Sequence, residues 1–370
     1  MSHGPQGMGR RKLLFYTHAL VGGGAERVWA RLASGFSARG DDVVFVVDFE
    51  AKDNAAFLDR SVDLRVLPRG HARATLALSR MLAREKPDAS LSALSVSNLK
   101  HTIAARLARR ADRAILSYHG FYESEPERLS NIGYRATRLL TRSSAATVAV
   151  SHALRRELVE RFAAPPARTR VIYNPAQPEP APAPVTKEDL TNRAPVVLAI
   201  GRLVADKDFE TLIAAFAGLR TPQARLVILG EGPLRARLEQ TARALGVDGR
   251  VSMPGYVAAP AEAFEAARVF ALASRRESFG LASVEALAHG LPVVATDCGG
   301  PGEIVVAPAC GRIVAVGDAA AIADSLDALL ADPGEPGPRQ RRARDFSLEA
   351  ALEGYDALIE SVIRHGPAPT

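Results

Sequence analysis

Carboxylates, glycines and a helix start come together in one stretch of the chain, RRESFGLASVEALAHGLPVVATDCGGPGEIV (275–305). Glu277 follows a predicted strand, Gly280 makes a turn, and a helical pattern then runs until Gly290 stops it. A helix that begins directly after a strand presents backbone N–H groups and a positive dipole end, which suit a diphosphate. Gly280 lets a ligand approach the backbone because it has no Cβ. We expect Glu277 and Glu285 at the same helix mouth, where carboxylates accept hydrogen bonds from sugar hydroxyls.

Short apolar runs alternate with helical patterns in both halves of the chain. Continuous apolar runs separated by helices indicate a parallel sheet that is covered on both faces. In such sheets, ligands bind at the carboxyl ends of the strands. The runs are 13–19, 43–48, 114–119 and 146–151 in the first half, and 196–202, 225–232, 251–257, 269–274 and 292–297 in the second.

Between the two halves the composition changes to proline and alanine, NPAQPEPAPAPVTKEDLTNRAP (174–195). This density predicts a semi-rigid linker over 175–195 that forms no packed element. The linker separates an N-terminal Rossmann-like domain, 1–174, from a C-terminal one, 196–345. The remainder, 346–370, predicts a C-terminal helix and tail, which either ends the second domain or returns to the first.

The motif around Glu277 and Glu285, two glutamates separated by seven residues with Phe-Gly between them, resembles the hallmark of glycosyltransferase family 4. The stretches 199–216, 225–257 and 21–46 resemble further segments of the same family. The resemblance implies the α/β GT-B fold, in which two doubly wound Rossmann-like domains face a central cleft. It also implies that the first domain binds the acceptor and the second binds the nucleotide-sugar donor.

By this resemblance, Glu277 would bind hydroxyls of the donor sugar, and Glu285 would bind the ribose. The backbone amides of Phe279, Gly280 and Leu281 would hold the distal phosphate of the donor. These roles agree with the anion site that the helix start alone predicts.

Two cations and two further residues complete the donor site that the resemblance implies. Arg202 and Lys207 would clamp the pyrophosphate and offset charge on the leaving group. Tyr256 and Val257 would border the nucleobase, mainly through their backbone. Glu277, Arg202 and Lys207 are therefore the catalytic candidates of the second domain.

In the first domain the resemblance identifies a glycine-rich loop and one histidine. Gly22, Gly23 and Gly24 would lie near the donor phosphates and the acceptor. His119, at the end of a predicted strand, would reach the donor sugar and is the fourth catalytic candidate. His18 has a similar position after the first strand, and the sequence assigns no role to it.

The family retains the configuration of the transferred sugar, so we expect the leaving diphosphate to take the proton of the acceptor on the same face. Asp206-Lys207-Asp208 resembles the metal-binding D-x-D of another glycosyltransferase fold. Because the resemblance assigns Lys207 to phosphate, we expect an enzyme that needs no metal and no cofactor. Its substrate is expected to be a UDP- or GDP-linked hexose or N-acetylhexosamine, and its product a cell-surface polysaccharide or glycolipid.

Two other function classes stay open at this stage. One is a different GT-B enzyme, such as a sugar-nucleotide epimerase or a small-molecule glycosyl synthase. The other is a nucleotide-sugar-binding protein without catalysis. A dinucleotide-dependent oxidoreductase is disfavoured because neither Gly22–Gly24 nor Gly230–Gly232 is followed by the third glycine of G-x-G-x-x-G.

Composition predicts a cytoplasmic protein. The two cysteines, Cys298 and Cys310, are too few for a disulfide framework, and no apolar run reaches the roughly 20 residues of a membrane span. The basic N-terminal tail lacks the long apolar core of a signal peptide.

Charge is unevenly distributed along the chain. Residues 1–185 hold 28 Lys and Arg against 17 Asp and Glu, whereas 186–370 hold 19 against 24. Basic helical patterns in 71–86 and 99–113 predict docking on an anionic membrane surface and attraction of a glycan or lipid-linked acceptor. An arginine-rich composition without a membrane role is the competing interpretation. Nucleic-acid binding is not expected, because no recognition motif accompanies the charge.

Overall fold

The computed structural model describes residues 10–21, 23–49, 55–124 and 128–368, and the chain divides into two compact units. The first unit contains the chain up to Pro175 together with the segment from Leu348 onward, and the second unit is Ala176–Ser347. The basic N-terminal tail, 1–9, lies outside the described residues.

A sheet of seven parallel strands forms the centre of the first unit. Its strands are β1 (Lys12–Thr17), β2 (Asp42–Val47), β3 (Asp63–Val66), β4 (Ala89–Ala93), β5 (Ala114–Tyr118), β6 (Ala146–Ala149) and β7 (Thr169–Val171). They lie in the order β3-β2-β1-β4-β5-β6-β7, and Leu13 of β1 pairs with Val43 of β2 and Ala89 of β4. The direction of winding therefore reverses between β1 and β4, and such a point leaves a crevice at the carboxyl edge.

Helices cover this sheet because each buries an apolar stripe. They are α1 (Gly24–Ala38), α2 (His71–Glu85), α3 (Ser95–Leu107), α4 (Arg128–Arg135), α5 (Thr137–Ser143) and α6 (His152–Glu160). In α1, Trp29 and Phe36 follow one another at helical spacing and pack on Phe15 of β1, with ring centroids 5.2 and 6.0 Å apart.

The second unit has a sheet of six parallel strands. They are β8 (Val196–Ile200), β9 (Arg225–Leu229), β10 (Val251–Gly255), β11 (Val269–Leu272), β12 (Val293–Thr296) and β13 (Gly311–Val314). Their order is β10-β9-β8-β11-β12-β13, with the winding reversal between β8 and β11. Two parallel, doubly wound sheets confirm the predicted α/β class.

Helices of the second unit precede, connect and follow these strands. They are α7 (Lys187–Asn192), α8 (Phe209–Ala217), α9 (Arg235–Ala244), α10 (Ala261–Ala266), α11 (Leu281–Ala288), α12 (Pro301–Ile304), α13 (Ala319–Ala331) and α14 (Gly337–Arg344). Within the described part of the chain, no helix has both the length and the apolar composition to cross a bilayer. Cys298 and Cys310 are free and buried.

The prediction that 175–195 forms no packed element is wrong for α7. Thr186 and Asp189 form a reciprocal capping box, in which the Thr186 hydroxyl accepts from the Asp189 N–H and the Asp189 carboxylate accepts from the Thr186 N–H. Leu190 is fully buried and anchors the helix. Local capping and one apolar anchor are enough for a short helix after a proline-rich run.

The last helix, α15 (Leu348–His365), belongs to the first unit. Its Leu352 lies directly against Gly35 of α1, where an added Cβ would come within 2.7 Å of the leucine side chain. Its Tyr355 contacts Trp29 edge-on at 6.1 Å and places its hydroxyl 3.2 Å from Ser117 Oγ. Of the two partners that the sequence left open for this helix, the structure therefore has the first domain.

We expect Leu352→Ala to lower the free energy of unfolding of the first unit by about 2–5 kcal/mol, because it leaves a cavity between α1 and α15. Trp29 is the only tryptophan of the chain and is buried in this unit. Urea unfolding followed by tryptophan fluorescence therefore reports on this unit. Glu353→Ala, an exposed change on the same helix, is the control. Equal urea midpoints for the two variants would contradict the packing role.

Candidate functional site

Most of the predicted site residues of the second unit lie in loops at the carboxyl edge of its sheet. One loop follows β8 and contains 201–208, and a second follows β11 and contains 273–280. A third, 297–300, follows β12 and pairs with the second through an isolated bridge between Glu277 and Gly299. Because β8, β11 and β12 are neighbours, these loops are neighbours too.

Ion pairs align the loop after β8 with the loop after β11. Buried Asp208 accepts a hydrogen bond from Arg275 Nε at 2.9 Å, and Asp206 lies 3.8 Å from Arg276. The Arg275 N–H also donates to the Asp206 carbonyl at 2.7 Å. Both carboxylates of Asp206-Lys207-Asp208 thus have guanidinium partners. Exposed pairs of this kind contribute little stability individually, but together they fix the position of one loop against the other.

Lys207 forms an ion pair with Glu277 between these two outer contacts. The two side chains are 24% and 17% exposed, so the pair is largely shielded but still reachable from solvent. The backbone of Glu277 is fixed on both sides, since its N–H donates to the Cys298 carbonyl at 3.2 Å and its carbonyl accepts from the Gly300 N–H at 2.8 Å. The structure therefore brings together two of the predicted catalytic residues.

Helix α11 begins beside this pair. Gly280, which precedes its first residue Leu281, has a φ of +101°, a conformation that favours glycine. No side chain caps this end, and the first N–H groups of a helix have no partner within it. Phe279 is buried against Phe346 at 5.6 Å, which leaves its backbone as the part available to a ligand. Glu285 is partly buried on the same helix.

The backbone at Gly300 approaches the backbone of the turn before α11 closely. A Cβ at Gly300 would lie 2.4 Å from Phe279 Cα, a distance that no side chain tolerates. The loop after β12 can therefore support the turn before α11 only because a glycine stands there.

The remaining predicted residues of this unit lie further along the same edge. Arg202 follows β8, is exposed, and forms no ion pair with any described residue. Tyr256 and Val257 follow β10, two strands away from β8, with 66% and 40% of their surface exposed. They present an accessible backbone and an exposed aromatic ring.

In the first unit, His119 follows β5. Its Nε2 lies 2.9 Å from Ser117 Oγ, and its ring meets Trp29 edge-on at 6.0 Å. Desolvation lowers the pKa of His119 to about 4, so its imidazole is neutral near pH 7. Gly23 precedes α1 and Gly24 is its first residue, whereas Gly22 lies outside the described residues.

Sequence reasoning missed a charged cluster in the first unit. Asp48 accepts hydrogen bonds from Tyr16 Oη at 2.9 Å and from His18 Nδ1 at 2.5 Å, and it also pairs with Lys100. Because His18 and Asp48 follow neighbouring strands β1 and β2, their positions alone gave a signal for this site. Lys100 lies inside α3, and its position in the sequence gave no signal that it belongs to this cluster.

The carboxylate of Asp48 is ionised. Burial alone would raise the pKa of Asp48, but the hydrogen bonds from His18, Lys100 and Tyr16 hold it below its ordinary value. Burial and the nearby carboxylate raise the pKa of Tyr16, so its hydroxyl stays protonated and acts as a donor.

Both halves of the chain match known families of glycosyltransferases. A family model described as "Glycosyl transferases group 1" matches residues 185–346, and one described as "Glycosyltransferase Family 4" matches residues 22–179. The lipopolysaccharide core biosynthesis glycosyltransferase LpsE of Rhizobium meliloti is 28% identical over 356 residues, which are 92% of this chain and 96% of LpsE.

A second relative and a solved structure extend the comparison. The N-acetylgalactosamine-N,N'-diacetylbacillosaminyl-diphospho-undecaprenol 4-alpha-N-acetylgalactosaminyltransferase of Campylobacter jejuni is 30% identical over 177 residues, 48% of each chain. The structure of Anabaena Alr3699/HepE in complex with UDP-glucose has a TM-score of 0.80 at 21% identity, and the match covers 95% of this chain and 100% of that one, which shows a shared fold. The two family matches cover both units and the loops that carry Lys207 and Glu277; the chain therefore belongs to the group 1 glycosyltransferases of family 4 and is a transferase.

Proposed function

We propose that the protein is a retaining enzyme that transfers a hexosyl or N-acetylhexosaminyl group from a UDP- or GDP-linked sugar to a glycan or lipid-linked acceptor, in cell-surface polysaccharide or glycolipid biosynthesis. The observation that carries the proposal is the Lys207–Glu277 pair beside the start of α11. The names of the relatives agree with it, since one concerns lipopolysaccharide core and another a diphospho-undecaprenol acceptor, and the Anabaena structure holds UDP-glucose.

Donor binding would exchange the partners of the Lys207–Glu277 pair. A diphosphate at the amides of Phe279, Gly280 and Leu281 would attract Lys207, because phosphate oxygens carry more charge than one carboxylate. Glu277 would then turn to hydroxyls of the donor sugar. Arg202 would reach the same diphosphate without breaking an ion pair within the described residues.

The two cations would act most strongly as the bond to the leaving diphosphate breaks. Negative charge grows on the leaving group at that point, and preorganised cations stabilise it more than they stabilise the bound donor. In the proposed transfer, the acceptor oxygen attacks the anomeric carbon on the face that the diphosphate leaves. The acceptor proton passes to the departing phosphate oxygen, and the sugar keeps its configuration.

We further propose that the transfer needs no bound metal ion. Asp206 and Asp208 would be the carboxylates for a metal in the D-x-D pattern, but each is paired with an arginine. Lys207 between them and Arg202 supply positive charge for the diphosphate instead. Activity that persists in excess EDTA would support this part of the proposal.

Stereochemistry tests the transfer directly. Thermal shifts with UDP- and GDP-linked sugars identify the donor, because a ligand that binds only the folded state stabilises it. NMR of the product made from that donor should then show the anomeric configuration of the donor. An inverted product would overturn retention. Turnover of the sugar nucleotide to an isomer without any acceptor would instead indicate an epimerase.

The two glutamates should separate binding from turnover. We expect Glu285→Ala to weaken UDP binding by about 1.5–3 kcal/mol, because ribose hydroxyls lose a charged partner. Glu277→Ala should reduce turnover while UDP affinity stays level or rises, since Lys207 loses its competing carboxylate. Calorimetry with UDP and initial rates check both, with exposed Glu262→Ala as the control. Parent-like binding and turnover in both variants would contradict the assignment.

A membrane-facing role is proposed for one surface of the first unit, which we call the α3–α5 surface. It combines exposed apolar side chains with arginines that form no ion pair with a described residue. The side chain of Arg106 links its helices by donating to Ser143 Oγ at 3.2 Å. Its members are Ile103, Leu107, Ile132, Leu139, Arg106, Arg109, Arg135, Arg138 and Arg142. An anionic bilayer offers both an apolar layer and negative headgroups to such a surface.

We therefore place the protein in the cytoplasm, at the inner face of the membrane, and expect it to cosediment with anionic liposomes at low salt. High salt should weaken the binding because it screens the arginines. The double change of Leu107→Asp and Leu139→Asp should release the protein, whereas Leu245→Asp, a change at an exposed leucine of the second unit, should not. Protein that stays in the supernatant at low salt would contradict docking.

A further inference from the structure

A pocket of about 720 Å³ opens in the first unit. It lies at the carboxyl ends of β1, β2 and β3, where His18, Asp48 and Arg69 line it. Its size is that of a small-molecule site. All of its lining residues belong to the first unit, whereas Lys207 and Glu277 belong to the second.

The floor of this pocket is an ion pair that stability alone does not explain. The side chains of Lys100 and Asp48 are only 5% and 7% exposed. Burying two charges costs several kcal/mol per ion, and apolar residues of similar size often give a more stable fold. An ammonium has three N–H donors, and Lys100 uses one on Asp48 and has no other acceptor among the described residues. It therefore has donors to offer a ligand.

Rings form the walls beside this pair. His18 is held by Asp48 through Nδ1, which leaves Nε2 as its second polar atom. The His18 ring stacks with His71 at 6.3 Å and meets Phe49 edge-on at 5.0 Å. Phe49 itself is 41% exposed. Flat, partly exposed rings beside a few polar groups suit the apolar face of a sugar ring and its hydroxyls.

The charges of the pocket do not cancel. Lys100 neutralises Asp48, and Arg69 adds a second cation that is exposed and has no ion pair within the described residues. Helix α2 begins at His71, so the positive end of its dipole borders the pocket as well. Among the described residues that line the pocket, one carboxylate thus faces two cations, and the excess favours an anionic ligand.

We infer that this pocket binds the acceptor and selects a sugar that carries a phosphate or carboxylate group, with Arg69 and Lys100 on the anion and the rings of Phe49 and His71 on the sugar. The inference rests on the proposed function and on the expectation from the family resemblance that the first domain binds the acceptor. A planar guanidinium holds either anion through two parallel hydrogen bonds, so Arg69 is the residue on which discrimination against neutral sugars depends.

Binding should be measured with UDP present in excess, so that an anionic probe does not occupy the donor site. The probes are glucose, glucose 6-phosphate and glucuronate, and the readout is the histidine ring C–H signals of His18 and His71 in NMR titrations. Both anionic sugars should bind at least tenfold more tightly than glucose. The ratio of the dissociation constants of glucose 6-phosphate and glucuronate shows whether the pocket prefers a phosphate or a carboxylate.

Arg69→Ala should remove that preference, while Arg80→Ala, an exposed change on α2 outside the pocket, should keep it. UDP affinity should be the same in both variants and the parent. Equal affinity for neutral and anionic sugars in the parent, or an unchanged preference in Arg69→Ala, would overturn the inference. A parent that fails to bind any nucleotide would refute the proposed function instead, so the two failures are distinguishable.

Discussion

The candidate site of the second unit depends on complementary charges in two loops. Asp206-Lys207-Asp208 after β8 faces Arg275-Arg276-Glu277 after β11, and each acid has a base opposite it. Only the central pair is both shielded and accessible. The outer pairs help to fix the loop positions, so under the proposed function the central lysine and glutamate would change partners without loss of the loop structure.

Both units contain an ion pair between a lysine and a carboxylate, but the two pairs are buried to different degrees. In each, a lysine is paired with a carboxylate that, under the proposed function, a ligand would replace or supplement. The Lys207–Glu277 pair is 24% and 17% exposed, and the Lys100–Asp48 pair 5% and 7%. Because the deeper pair has lost more hydration, its charges interact more strongly with anything that enters the pocket. Tyr16 and His18 also bind Asp48, so that pair is the more rigid of the two.

The sequence predicts best what is local. The runs of β residues, the α11 start at Gly280 and the spacing of Glu277 from Glu285 lie within short stretches, and the structure has the corresponding strands and helix. Lys100 and Asp48 are far apart in the chain and meet only through the fold, so no spacing rule indicates them. The periodicity of α15 shows which face is buried but not which surface buries it. The capping box of α7 is also local, but the density of prolines around it favoured the prediction of a linker over that of a helix.

The contacts of individual arginines explain part of the uneven charge of the chain. Several arginines do structural work with carbonyls: Arg113 donates to Val362 and Ile363 of α15, and buried Arg339 donates to three carbonyls in the acidic second unit. Arginine-rich composition accounts for these. The proposed function assigns a different role to Arg69 at the pocket and to the arginines of the α3–α5 surface, none of which forms an ion pair with a described residue. Those residues are exposed, and under the proposed function their charge would attract an anionic acceptor or an anionic lipid over roughly a Debye length.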